Sequence, residues 1–188
     1  MEGFRYEEAF SLVSESNQVA VNVKGTSPDQ LGIVPRVARS LFGKLRSKKG
    51  KDGTEYRVHC SYIQIYNEKI LDLLNPSHLV SHVTGGFEKD PGLRLRFDSA
   101  SSKFRIENLF EVECTGSKDL MENFERGVKH KIMSSHRLNA SSSRSHCVFM
   151  IRIDQLDAAQ PNEVKFSSRL SLIDLAGSER IRMTGARG

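Results

Sequence analysis

Two short stretches hold most of the residues suited to phosphate chemistry. The first is Asn139-Ala140-Ser141-Ser142-Ser143-Arg144-Ser145-His146. Its hydroxyls could reach a Mg²⁺ ion or a phosphate, and Arg144 could make a charge-assisted contact with an anion. Three serines in a row describe many ordinary loops. The asparagine, arginine and histidine fixed around them, directly before an apolar run, are less ordinary. The second stretch is Leu170-Ser171-Leu172-Ile173-Asp174-Leu175-Ala176-Gly177-Ser178-Glu179-Arg180. An aspartate closing a buried apolar strand is costly unless it has a partner or a ligand. At the carboxyl end of a sheet strand, Asp174 is placed to hold Mg²⁺ through water. Gly177 lets a backbone N–H come close to a γ-phosphate. Alone, Asp-x-x-Gly also fits a common strand-end turn.

These stretches need a sheet beneath them, and the pattern supplies one. Cys147–Ile153 and Leu170–Leu175 carry apolar residues at consecutive positions, as expected for strands buried on both faces; the polar segment from Asp154 to Asn162 connects them. Tyr56–Tyr66 is rich in aromatic and β-branched residues and reads as a strand. Glu68–Leu74 reads as a short helical turn ending before Pro76. Residues 77–92 form a loop, and 93–97 and 104–112 are strands flanking the polar tip Asp98–Ser102. Pro35 suits a first helical position, and Val37, Leu41 and Leu45, with Ala38 and Phe42 beside them, predict a helix over 35–48. Ser117 is a candidate N-cap for a helix with Leu120, Phe124 and Val128 on one face; Glu122–Arg126 and Glu125–Lys129 can pair on its surface. Residues 1–31 read as a long loop with a short strand at Val19–Val23. Strands mixed with helices and no repeat indicate an α/β layer architecture.

Composition sets bounds without choosing a function. The 188 residues are 38% hydrophobic and 27% charged, the balance of a globular protein. No apolar run reaches the roughly 18 residues of a membrane span. Cys60, Cys114 and Cys147 are scattered and lack a Cys-x-x-Cys pair, which fits reduced, buried thiols better than zinc ligands. The net charge of +5 suits an acidic partner, although many basic domains bind no polyanion. Lys44, Arg46, Lys48, Lys49 and Lys51 read as a solvated helix end running into a loop.

Together the two stretches resemble, residue for residue, the Asn-x-x-Ser-Ser-Arg-Ser-His and Asp-Leu-Ala-Gly-Ser-Glu signatures of the kinesin motor domain, its first and second switch loops. Gly32-Ile33-Val34-Pro35-Arg36 is similar to that family's helix start, and Ser61–Leu74 to its strand-and-turn signature. Thr184–Gly188 resembles the loop after the second switch. The resemblance implies the central part of a phosphate-loop NTPase-like α/β domain, with a mixed, largely parallel sheet flanked by helices. It divides the chain into a long loop or insertion (1–31), a helix, strand, hairpin and helix (32–138), a first switch (139–146) and a second switch (170–180).

Carried over to this sequence, the resemblance implies that Ser143 ligates Mg²⁺ and Asp174 holds it through water. Ser142 helps place the attacking water, Gly177 donates its N–H to the γ-phosphate, and Asn139 supports the first switch. Arg144 and Glu179 bridge the switches, and Glu179 helps relay a proton. His146, entering a strand, is expected to orient the loop. The implied cofactors are ATP and Mg²⁺ and the implied partner is the microtubule, met in part by Arg94, Arg96, Lys103 and Arg105. The location implied is the cytoplasmic cytoskeleton, with neither nucleic acid nor membrane as partner. The sequence departs from the family in lacking any Gly-x-x-x-x-Gly-Lys-[Ser/Thr] loop. Such a loop is expected to be encoded just upstream of Met1, and the chain alone is expected to be inactive. Segment 4–31 is longer than the family's loop there. Two other readings stay open: a non-enzymatic microtubule- or protein-binding module, and a GTPase-like switch, which lacks its Asn-Lys-x-Asp motif here.

Overall fold

The computed structural model describes residues 32–52, 54–75, 92–137, 145–157, 160 and 163–176. The expectations for 1–31, for the loop that begins at 77 and for most of the two switch stretches lie outside these residues. The elements are α1 (Ile33–Asp52), β1 (Tyr56–Tyr66), β2 (Lys69–Asp72), β3 (Leu95–Asp98), β4 (Lys103–Ile106), β5 (Val112–Glu113), α2 (Ser117–Arg137), β6 (His146–Leu156) and β7 (Val164–Asp174). One sheet runs β2-β1-β6-β7, with β5 also on β1, and β3 and β4 form a separate ribbon. The described residues group into two compact units. One draws on the chain through Val58, Cys114–Met121 and Ile153–Ser168; the other draws on His59–Glu113, Glu122–Arg152 and the chain from Arg169.

The α/β class stands. Within it, every strand pairing whose direction can be read is antiparallel. β1 pairs antiparallel with β2 and with β5. The end of β6 meets the start of β1, where Leu156 N–H donates to Glu55 O at 3.0 Å. A connection as short as that between the neighbours β6 and β7 admits only the antiparallel arrangement. The parallel pairings expected for the sheet do not occur between these strands.

In the first unit, α1 begins two residues before the expected start. Pro35 therefore sits within the first turn, where its missing N–H leaves no helical bond unmade. The fully buried row is Val34, Ala38 and Phe42; Val37, Leu41 and Leu45 flank it half-buried. Ser117 is the first residue of α2 rather than its cap. Asp119 closes the helix start instead, accepting from the Thr115 N–H at 2.9 Å and from the Thr115 hydroxyl.

In the second unit, the helical turn expected at Glu68–Leu74 is a β-hairpin. Asn67 and Glu68 both take left-handed backbone angles (φ 48° and 62°), which match the twist of a two-residue hairpin. Ile65 then faces Ile70, and Ile63 faces Asp72. The buried Asp72 accepts N–H bonds from Leu74 (2.9 Å), Asn75 (3.1 Å) and Phe110 (2.8 Å), so it ties the hairpin end to the approach to β5. The core is aromatic. Tyr62 stacks on Phe124 at 5.6 Å and meets Phe149 edge-on at 5.3 Å, and Phe124 meets Phe149 at 5.2 Å. Gly127 lies against the Tyr62 ring: a Cβ there would stand 2.2 Å from Tyr62 Cδ1.

Strands β6 and β7 differ most from expectation. β6 buries alternate residues rather than both faces. β7, at the end of the sheet order, buries only Leu172 among its residues and exposes Phe166 and Ile173 by about 60%. An apolar run predicts a doubly covered strand only when layers and a neighbour cover it. Cys60, Cys114 and Cys147 are buried and form no disulfide, as the scattered spacing predicts.

His130 on α2 makes a 2.6 Å bond to Leu73 O, which requires Nδ1 to carry the proton. Burial lowers its pKa below 6.5; the bond to Leu73 opposes this, and Arg126 and Lys129 lower it further. The folded state thus prefers neutral His130, so its contribution is present above the unfolded pKa and is lost as pH falls below about 6.5. Urea unfolding at pH 7.5 and 5.5 should show lower stability at 5.5, and His130→Gln should reduce that difference. An unchanged difference in the variant would contradict the assignment.

Candidate functional site

The described ends of the two stretches, Ser145–His146 and Leu170–Ala176, meet at one end of the sheet. The first runs into β6 and the second runs out of β7, and antiparallel neighbours place the start of one beside the end of the other. Ser145 is buried and His146 opens β6. Across the gap, the Ala176 N–H donates to His146 Nδ1 at 3.0 Å. The acceptor nitrogen must be unprotonated, so the ring is held with its proton on Nε2. This bond fixes the backbone just past Asp174 to the first residue of β6. The loop that His146 is expected to orient, the first one, lies outside the described residues; the bond seen is to Ala176 of the second stretch.

Asp174 ends β7 and is half-exposed. Lys131 on α2 places Nζ 3.7 Å from Asp174 Oδ2, with the lysine side chain only 13% exposed against 46% for the aspartate. No pattern in the sequence marks Lys131. A cation late in a helix is ordinary, and only the packing of α2 brings it to the strand end. Arg126, expected to pair with Glu122, donates to Asn123 Oδ1 at 2.7 Å.

The other expected site residues, Asn139, Ser142, Ser143, Arg144, Gly177 and Glu179, lie outside the described residues. Among the described residues no group of three or more His, Cys, Asp or Glu side chains could hold a metal. Asp174 is the one expected metal residue within them. Its carboxylate is an oxygen donor of the kind Mg²⁺ takes.

A second candidate surface is the β3–β4 ribbon. Its register sets Leu95 opposite Ile106 and Phe97 opposite Phe104 on one face, with Arg96 opposite Arg105 and Asp98 opposite Lys103 on the other. Asp98 closes the tip by accepting from Ala100 N–H (3.1 Å) and Ser101 hydroxyl (2.7 Å), which lowers its pKa. Arg94, Arg96, Lys103 and Arg105 are all exposed, and Arg96 Nε lies 3.1 Å from Glu107 Oε2. Phe97 and Phe104 pair at 5.1 Å, yet they remain 57% and 64% exposed. The sequence indicated the cations but not the open aromatic face beside them.

A family model, the kinesin motor domain, matches residues 20–188. The chain is 35% identical over 182 residues to the kinesin-like protein unc-104 of Caenorhabditis elegans, covering 96% of this chain and 11% of that protein. It is 36% identical over 167 residues to the kinesin-like protein KIN-12B of Arabidopsis thaliana, covering 86% and 12%. The chain thus spans about a tenth of the length of these relatives. Its fold is similar to the solved structure of a fast kinesin, with a TM-score of 0.68 and 30% identity, over 86% of this chain and 41% of that one. That structure was interpreted for ATPase mechanism and interactions with microtubules. No helix among the described residues is long and apolar enough to cross a membrane.

If His146 pins the second stretch, His146→Ala should raise amide hydrogen exchange at Ala176 roughly fivefold, the equivalent of about 1 kcal/mol for one hydrogen bond. Unchanged exchange at Ala176 would show that the bond does not hold the loop.

Proposed function

The chain belongs to the kinesin motor-domain family, and on that premise we propose that it is the switch-bearing part of a motor that hydrolyses MgATP and couples hydrolysis to its grip on a microtubule. The observation that carries this reading is the His146–Ala176 bond, because it links the bases of the two stretches that would sense the nucleotide. A change in one stretch then has a physical route to the other.

In this reading Ser143 and Asp174 hold Mg²⁺, the aspartate through water, and Gly177 offers its N–H to the γ-phosphate. The metal, when bound, neutralises charge that develops on the phosphates. Ser142 positions the attacking water. Arg144 and Glu179 close the two stretches on each other, and Glu179 takes up the proton that the water gives up. Asn139 braces the first stretch. Lys131 restrains the Asp174 carboxylate from the helix side. The 188 residues contain no Gly-x-x-x-x-Gly-Lys-[Ser/Thr] loop, so in this reading they do not themselves supply the backbone cradle for the phosphates. The β3–β4 ribbon, with exposed cations on one face and aromatic rings on the other, offers the track a salt-sensitive contact with an apolar anchor.

The test uses a complete motor containing this segment. Arg144→Glu and Glu179→Arg should each lower microtubule-stimulated ATPase by about 10²-fold or more while nucleotide affinity persists, because closure positions the water and neither residue cradles phosphate. The double reversal restores the pairing but misplaces the glutamate, so it should recover loop closure more than turnover. Near-normal ATPase in either single variant would overturn the bridge. Microtubule binding indifferent to nucleotide would favour a non-enzymatic binding module.

A further inference from the structure

Helix α1 carries seven cations, Arg36, Arg39, Lys44, Arg46, Lys48, Lys49 and Lys51, against one acid, Asp52. Lys49 pairs with Glu55 at 2.8 Å. Among the described residues no acid pairs with Arg39, Lys44, Arg46 or Lys51. Burial divides the helix through Ser47, after which Lys48 and Lys49 are exposed as well. Val34, Ala38 and Phe42 face inward, and the opposite side exposes Arg36, Arg39, Ser40, Gly43, Lys44, Arg46, Ser47 and Lys51.

The spacing on the exposed side is that of a heptad. Beyond Arg36, which holds the preceding midline position, Ser40, Gly43 and Ser47 run down the face at the three- and four-residue steps of an a/d seam. Arg39 and Arg46 flank this seam on one side, and Lys44 and Lys51 on the other, in the positions that contact a partner helix's flanks. Each flanking pair is seven residues apart, about 10.5 Å along the axis. A small, nearly flat seam allows close backbone approach, and four cations at heptad positions set the charge of whatever approaches.

Gly43 is an independent sign. A Cβ at this position would meet nothing within 4 Å, so the chain's own packing does not require glycine there. Glycine in the middle of a helix lowers its stability relative to alanine. A surface that must accept another backbone closely explains a residue that the fold itself does not.

We propose that this face of α1 docks an acidic α-helix of a protein partner, one that carries Glu or Asp at heptad spacing on both flanks of a small-residue stripe. The repeat of such a helix matches the repeat of the cations, which neither an extended chain nor a lipid surface does. The face holds no aromatic residue on which bases could stack. It also holds no apolar residue that could enter a bilayer interface. The inference stands apart from the nucleotide chemistry and does not rest on it.

The probe is a synthetic helix of about four heptads with Ala at a and d and Glu at e and g. A peptide of the same composition with its register scrambled, a short DNA duplex and phosphatidylserine vesicles serve as controls. The 188-residue chain should bind the heptad peptide at least roughly tenfold tighter than the scrambled one, more weakly as salt rises. Gly43→Leu should reduce that binding roughly tenfold with unchanged circular dichroism, by blocking the seam. Reversal of all four cations (R39E, K44E, R46E, K51E) should abolish it and transfer preference to a Lys-bearing heptad peptide. Equal binding of the scrambled peptide, tighter binding of the duplex or the vesicles, or undiminished binding by Gly43→Leu would overturn the proposal.

Discussion

The second unit depends on how closely α2 approaches β1. Phe124 stacks on Tyr62 and both rings meet Phe149 of β6, so one helix and two strands share a single aromatic cluster. Such contacts add about 0.5–1.5 kcal/mol per pair beyond area burial. Their geometry holds only because Gly127, one turn beyond Phe124, has no side chain. The Tyr62 ring occupies the space a Cβ would take. The spacing of α2 from the sheet is therefore set at one residue.

The candidate site inherits that spacing. Lys131 lies one turn beyond Gly127 on the same helix and reaches Asp174 at the end of β7. His130, its neighbour, bonds back to Leu73. The helix is thus tied to the sheet at two adjacent residues, through Leu73 after β2 and through Asp174 at the end of β7. The strands complete the arrangement, because an antiparallel β6–β7 pair returns the second stretch to the start of β6, where His146 accepts the Ala176 N–H. Packing of apolar rings far from any phosphate decides where the polar residues stand.

Much of this was legible in the sequence, and the misses have physical causes. β1 was read at its observed bounds because its run of aromatic and β-branched residues is dense and both its faces at Cys60–Gln64 are covered. The two switch stretches stood out because their residue types are improbable together. The hairpin at Asn67-Glu68 was missed because residues 69–74 are apolar at helix-like density, and only the left-handed turn before them decides the structure. β7 reads as fully buried because its composition reflects what a strand needs when covered, whereas its position in the sheet order is a property of topology. Lys131 could not be read at all, since the distance from helix to strand end is fixed by Tyr62, Phe124 and Gly127 together.

The most direct test is the stability of Gly127→Ala, because the two effects of that change have opposite signs. Helix propensity alone favours alanine over glycine by about 1 kcal/mol in a helix interior. Forcing a methyl group into the Tyr62 ring costs about 1–3 kcal/mol and displaces the helix or the ring. If the approach of α2 to β1 is the controlling constraint, urea unfolding of Gly127→Ala will give a lower midpoint than the parent, and the Phe124 and Phe149 aromatic resonances will shift. An equal or higher midpoint with unshifted resonances would mean that the helix does not sit where the aromatic cluster requires, and the account of how the site is positioned would fail.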